Sequence, residues 1–152
     1  MAAFRFSLEP VLSYRQSLVE KREMELAHAL RDHREAEQIL AVLHQRRSRL
    51  LAHIEQQRRQ RHLDGELMVI SESYLHKLEA DIAAQTERLR ELSDRVASCR
   101  AALHEALKEK KKIEQLKEKE ARKFAAEQAR LEQLSIDDLN TTRYGRRRVR
   151  ES

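Results

Sequence analysis

Apolar residues recur along this chain at alternating intervals of three and four. From Leu75 to Leu134 they fall into heptads whose a sites are Leu75, Ile82, Leu89, Val96, Leu103, Lys110, Lys117, Phe124 and Leu131. The d sites are Leu78, Gln85, Leu92, Cys99, Ala106, Ile113, Glu120, Glu127 and Leu134. Thirteen of these 18 sites are apolar, where a chain that is 40% hydrophobic would place about seven by chance. Neither Pro nor Gly interrupts the run, so the pattern predicts one long helix with a single narrow apolar stripe. Such a stripe on an otherwise polar helix demands a cover.

A second seam lies upstream. Its a sites are Leu12, Val19, Leu26, His33, Leu40, Arg47, Ile54 and Arg61, and its d sites are Leu8, Arg15, Arg22, Ala29, Ala36, Leu43, Leu50 and Gln57; ten of the 16 are apolar. Ser7 and Pro10 mark its start, the first as a hydroxyl cap and the second as a residue tolerated in a first turn. Between the seams, Asp64-Gly65 is the one strong turn signal, and Ser71 or Ser73 is a candidate cap for the second helix. The organisation expected is therefore all-α. A lead-in over 1–6 precedes a helix over about 8–62, a turn over about 63–70 and a helix over about 71–136, all within a single unit covering 1–142, with a flexible basic tail over 143–152.

Two seams of similar length joined by a short break fold most simply as an antiparallel two-helix coiled-coil hairpin, with arms of roughly 80 to 100 Å at 1.5 Å per residue. Folding back about residue 68 sets Ile54 near Ile82, His33 near Leu103, and Arg15 and Arg22 across from Glu120 and Glu114. Ion pairs are expected at those polar sites, fixing register at a cost in stability. Four of the six a and d sites from Lys110 to Glu127 are charged, which predicts a looser seam there. Glu55 with Arg59, Glu91 with Arg95 and Glu118 with Arg122 have the spacing of pairs along one helix.

Composition narrows the function classes. A chain of 152 residues with 4% aromatic residues and 38% charged residues has no large core to build. Its two Gly residues supply no phosphate-cradling loop, and no signal-peptide stretch or membrane span is legible, which points to a cytoplasmic protein. Net charge is +5, unevenly spread. Six Arg lie between His44 and His62, four Lys between Lys108 and Lys112, and five Arg between Arg143 and Arg150. Such runs either solubilise helix faces or attract an acidic surface or a nucleic acid. The nucleic-acid alternative lacks interleaved aromatics for stacking.

Catalytic chemistry finds little purchase. The seven His residues include no HxxxH pair, Cys99 sits at a d site as a small hydrophobe, and carboxylates on a rod have no water-excluded pocket in which to shift a pKa. No metal, cofactor or enzymatic activity is expected.

Particular residues then carry more than composition. The opening Phe4-x-Phe6-x-Leu8-x-x-Val11-Leu12-x-x-Arg15, the start of the second helix Tyr74-Leu75-x-x-Leu78-x-x-x-Ile82, and Lys111-Lys112-x-Glu114-x-Leu116-Lys117-Glu118 resemble the FliJ family of the bacterial flagellar type III export apparatus. That resemblance implies a non-catalytic stalk whose terminal end enters the ring of the hexameric export ATPase. It also implies contact with the cytoplasmic domain of the export gate, binding of export chaperones, and membrane association only through the apparatus. Arg15, Arg22, Lys117, Arg122, Arg143, Arg146, Arg147 and Arg148 are the implied ring contacts. Tyr74, Leu78, Asp81 and Gln85 are the implied gate contacts, although Asp81 and Gln85 depart from the more apolar or basic character expected of them. An equivalent stalk of a virulence secretion system is the near alternative.

Overall fold

The computed structural model describes residues 2–60 and 64–152. Two helices account for nearly all of them: α1 (Glu9–Arg58) and α2 (Gly65–Glu151), packed against each other as an antiparallel hairpin. No strand occurs among the described residues.

The heptads decide what is covered. Val19, Ala29, Ala36, Ile54, Ser71, Leu78, Leu92, Val96 and Ala106 are the buried helical residues, and each occupies an a or d site or its continuation one heptad upstream. Ala29, at 0% exposure, and Ala36, at 4%, bring small side chains to the seam, where they let the opposing backbone approach. The chain divides into two compact units, Glu20–Glu105 and the pair of segments Met1–Val19 and Ala106–Ser152.

Within Glu20–Glu105, ion pairs cross between the helices: Asp32 with Arg95 at 3.0 Å, Arg47 with Glu79 at 3.4 Å and Arg58 with Glu72 at 3.9 Å. The Gln85 amide donates to the Ala36 carbonyl at 3.1 Å, so a polar d site is satisfied inside the seam. These pairs correct the expected register. Residue 33 lies opposite a position near 94 rather than Leu103, a slip of roughly nine residues or two and a half turns. The cause is the helix start. Asp64 is the N-cap of α2, its Oδ1 accepting from the amides of Glu66 at 3.0 Å and Leu67 at 3.4 Å, and its carbonyl accepting from Met68. Asp64-Gly65 therefore opens α2 instead of forming the turn, Ser71 is buried in the seam, and the point of reversal moves towards the N-terminus. Arg61 and His62, at the end of the expected first helix, and Leu63, at the start of the expected turn, lie outside the described residues.

Replacing Asp64 with Ala removes an acceptor for two orphan amides. A loss of about 1 kcal/mol in unfolding free energy is expected from urea titration, with Asp64→Asn recovering most of it.

In the other unit, the N-terminal segment lies along α2. Phe6 is buried, the Phe4 and Phe124 rings meet tilted at 48° with centroids 5.6 Å apart, and Lys117 reaches Glu9 at 2.9 Å. α1 begins one residue after the expected start, with the Leu8 carbonyl accepting from Leu12, so that Leu8 rather than Ser7 holds the N-cap position. The charged seam sites are partly neutralised here: Lys117 by Glu9 and Lys110 by Glu114 at 3.4 Å.

α2 also runs on where a flexible tail was expected. Asn140-Thr141-Thr142 does not end it; the Thr141 and Thr142 hydroxyls donate back to the carbonyls of Asp137 and Asp138, each at 2.8 Å, and so stay within the helical turn. The helix continues through Arg143–Arg150 to Glu151.

Candidate functional site

The residues with an implied role fall into two groups, and the fold treats their members unequally. Among the cations, Arg22 bonds Glu25 on its own helix at 2.9 Å, and Glu114 is taken by Lys110, so the expected Arg22 to Glu114 pair does not form. Arg15 is half-buried with its Nε covered and lacking a hydrogen-bond partner, and its guanidinium lies 5.8 Å from the Tyr14 ring. Its field falls on Glu109 rather than on Glu120, a consequence of the corrected register: the Glu109 carboxyl is held below the usual carboxylate range chiefly by the Lys112 ammonium at 3.0 Å, with Arg15 adding a smaller pull. Lys117 is engaged with Glu9, and Arg122 leans on Glu118 at 3.6 Å.

The remaining arginines differ. Every residue from Leu131 to Ser152 is exposed. Arg148 lies 5.9 Å from the Tyr144 ring, while among the described residues none forms an ion pair with Arg143, Arg146 or Arg147. Upstream, Arg130 is bound to Glu127 at 2.6 Å, which holds that carboxyl below its ordinary range.

The second group is split by the seam. Leu78 is 2% exposed and belongs to the core, and Gln85 is spent on Ala36, so neither presents a side chain outward. Tyr74, at 44% exposure, and Asp81 remain on the surface. Sequence reasoning passed over the apolar neighbours of Tyr74. Leu67 and Ile70 are exposed, and with Tyr74 and Asp81 they follow one face of α2 at helical spacing. On α1, Ile39 and Val42 are also exposed and line a shallow depression with Glu35, Gln38, Leu43 and Arg46. Their signal was present: each lies beside a seam residue but off the a and d sites, where an apolar side chain has nothing inside the hairpin to cover it.

Three of the arginines in the basic run at the end of α1 are engaged. Arg47 and Arg58 cross to Glu79 and Glu72, and Arg59 bonds Glu55 at 2.8 Å. Of the other pairs expected along single helices, Glu118 with Arg122 forms, but Glu91 turns to Arg88 at 3.7 Å because Arg95 is drawn across to Asp32. These exposed pairs contribute little individually. Cys99 is a half-buried free thiol. Among the described residues no His, Cys, Asp and Glu cluster could hold a metal ion, and no helix is long and apolar enough to cross a membrane.

This arrangement has counterparts. A solved structure of a protein from Chlamydia trachomatis, described as a candidate YscO homologue, superposes with a TM-score of 0.57 at 20% identity, over 91% of this chain and 94% of that one. It shows the same fold. No curated protein matches the sequence significantly. The family model described as the flagellar FliJ protein matches residues 4–149, nearly the whole of the hairpin, and the chain belongs to that family of type III export components.

Proposed function

We propose that this chain is a non-catalytic stalk of the flagellar export apparatus. Its terminal end enters the ring of the hexameric export ATPase and promotes ring assembly or turnover, while the surface about Tyr74 meets the cytoplasmic domain of the export gate. The observation that carries this reading is the helical end beyond Gln128, which is wound, basic and wholly exposed. A helical end left exposed along its whole length among the described residues is suited to a neighbour supplied by another protein. Family membership supports the setting.

The register refines the contact sets. Lys117, Arg22 and Arg122 have acidic partners within the chain, leaving Arg143, Arg146 and Arg147 as the cations best placed to meet the ring. Leu67, Ile70 and Tyr74, with Asp81 on the same face of α2, form an apolar surface offered to the gate, and Ile39 and Val42 form a separate apolar patch on α1 open to export chaperones. The protein would then work in the cytoplasm, reaching the membrane only through the apparatus.

Adding the purified chain to the purified export ATPase tests this directly. Increased hexamer formation, followed by light scattering, and faster ATP hydrolysis are expected. No change in either overturns the ring assignment. Running the same assay with a virulence-system ATPase separates the two type III settings, the Phe4 and Phe6 opening favouring the flagellar one.

A further inference from the structure

Counting 100° per residue around α2 sorts its exposed end into unlike faces. Ile136, Leu139, Arg143, Arg146, Arg147 and Arg150 fall on one stripe, spaced three or four apart, and cover roughly 21 Å of helix at 1.5 Å per residue. Both apolar members are open, Ile136 at 50% and Leu139 at 58% exposure. No acid lies on the stripe between them and Arg150. Asp137 and Asp138 point elsewhere around the helix, as do Tyr144 and the Arg148 that lies beside it. Among the described residues, none forms an ion pair with any of the four stripe arginines.

The cations are also all of one kind. The chain places no Lys after Lys123, whereas the cations of its mid-α2 charge run, Lys108 to Lys112, are four Lys and no Arg, with Glu109 among them. A solubilising face needs only charge, which Lys supplies. Arginine instead offers a planar fork of donors that grips a carboxylate at two points.

We infer that this stripe is a docking face for an acidic protein groove: Ile136 and Leu139 enter an apolar pocket, and Arg143, Arg146, Arg147 and Arg150 pair with carboxylates set along the groove beyond it. The inference rests on the proposed ring contact and names its chemistry, a carboxylate-lined surface with one apolar step. It adds Arg150 to the contact and removes Arg148. A membrane surface fits less well. A helix lying in a lipid interface carries its apolar residues on the face opposite its basic ones, and here the two follow each other along the same face.

The test uses the full chain and the purified export ATPase, with binding measured by light-scattering titration or surface plasmon resonance. Three variants are compared with the parent: a fourfold Arg143→Glu, Arg146→Glu, Arg147→Glu and Arg150→Glu chain, an Ile136→Ser and Leu139→Ser chain, and Arg148→Glu alone. Circular dichroism of each variant checks that the helix persists. The expected result is a loss of at least tenfold in affinity for the first two, little change for the third, and binding by the parent that weakens as salt is raised. Equal binding by all variants overturns the docking face while leaving the ring contact standing. Failure of the parent to bind overturns both. Parallel titrations with phosphatidylglycerol vesicles and duplex DNA complete the comparison: if the fourfold variant loses those and keeps the ATPase, the stripe serves phosphate and the inference falls.

Discussion

Leu78→Ala destabilises the hairpin by about 2–5 kcal/mol, the range for truncating a covered Leu. Leu78 is 2% exposed at a d site of α2, and its side chain is among the few large ones the seam covers so completely. A hairpin with two helices and no further layer has few such residues, so one truncation removes a sizeable part of its total stability. Urea unfolding followed by far-UV circular dichroism reads this as a lower midpoint. Ile70→Ser serves as the comparison. Its side chain is 63% exposed, off the seam and two turns upstream, and a change within about 0.5 kcal/mol is expected. A Leu78→Ala midpoint no lower than that of Ile70→Ser would mean that the seam does not hold the helices together.

The second large effect is all-or-none. With Cys99→Ser as background, Arg47→Cys with Glu79→Cys should be joined efficiently by a short bismaleimide, because their parent side chains meet at 3.4 Å. His33→Cys with Leu103→Cys should give almost no intramolecular product. Those two positions are set side by side by a reversal near residue 68, but they stand roughly nine residues apart along the axis when Asp32 is opposite Arg95. Intact mass and gel mobility distinguish the products. The reverse outcome would restore the later turn and remove Asp64 as the cap of α2.

That contrast shows how far the residues alone could carry the fold. The heptads named nearly every buried position, because a period of three and four leaves a covered stripe little freedom in which residues it presents. They did not set which a site faces which d site, since a two-helix seam slides by heptads at modest cost and the register is chosen by its ends. Asp-Gly favours a turn and Asp favours a cap, and only the backbone distinguishes them: here Gly65 is helical with ordinary φ, and Asp64 caps Glu66 and Leu67. The site followed the same rule. Tyr74 and the terminal arginines were legible as outward-facing, but Leu78 and Gln85 were named for a surface that their own a/d phase turns inward. Ile39, Val42, Leu67 and Ile70 went unnoticed because apolar residues in a coiled coil invite assignment to the seam, and only the packing shows which ones it leaves out.

The far end of α2 is held by its own ladder alone. Every residue from Leu131 to Ser152 is exposed, and a Cβ added at Gly145 would meet no side chain within 4 Å among the described residues. An unsupported stretch of that length, with Thr141, Thr142 and Gly145 among its weaker helix formers, stays wound largely because the covered part of the same helix nucleates it. Any partner that grips the end must therefore also meet the entropic cost of keeping it wound, so residues that touch nothing at all set part of the affinity by deciding how much of that order exists before the encounter.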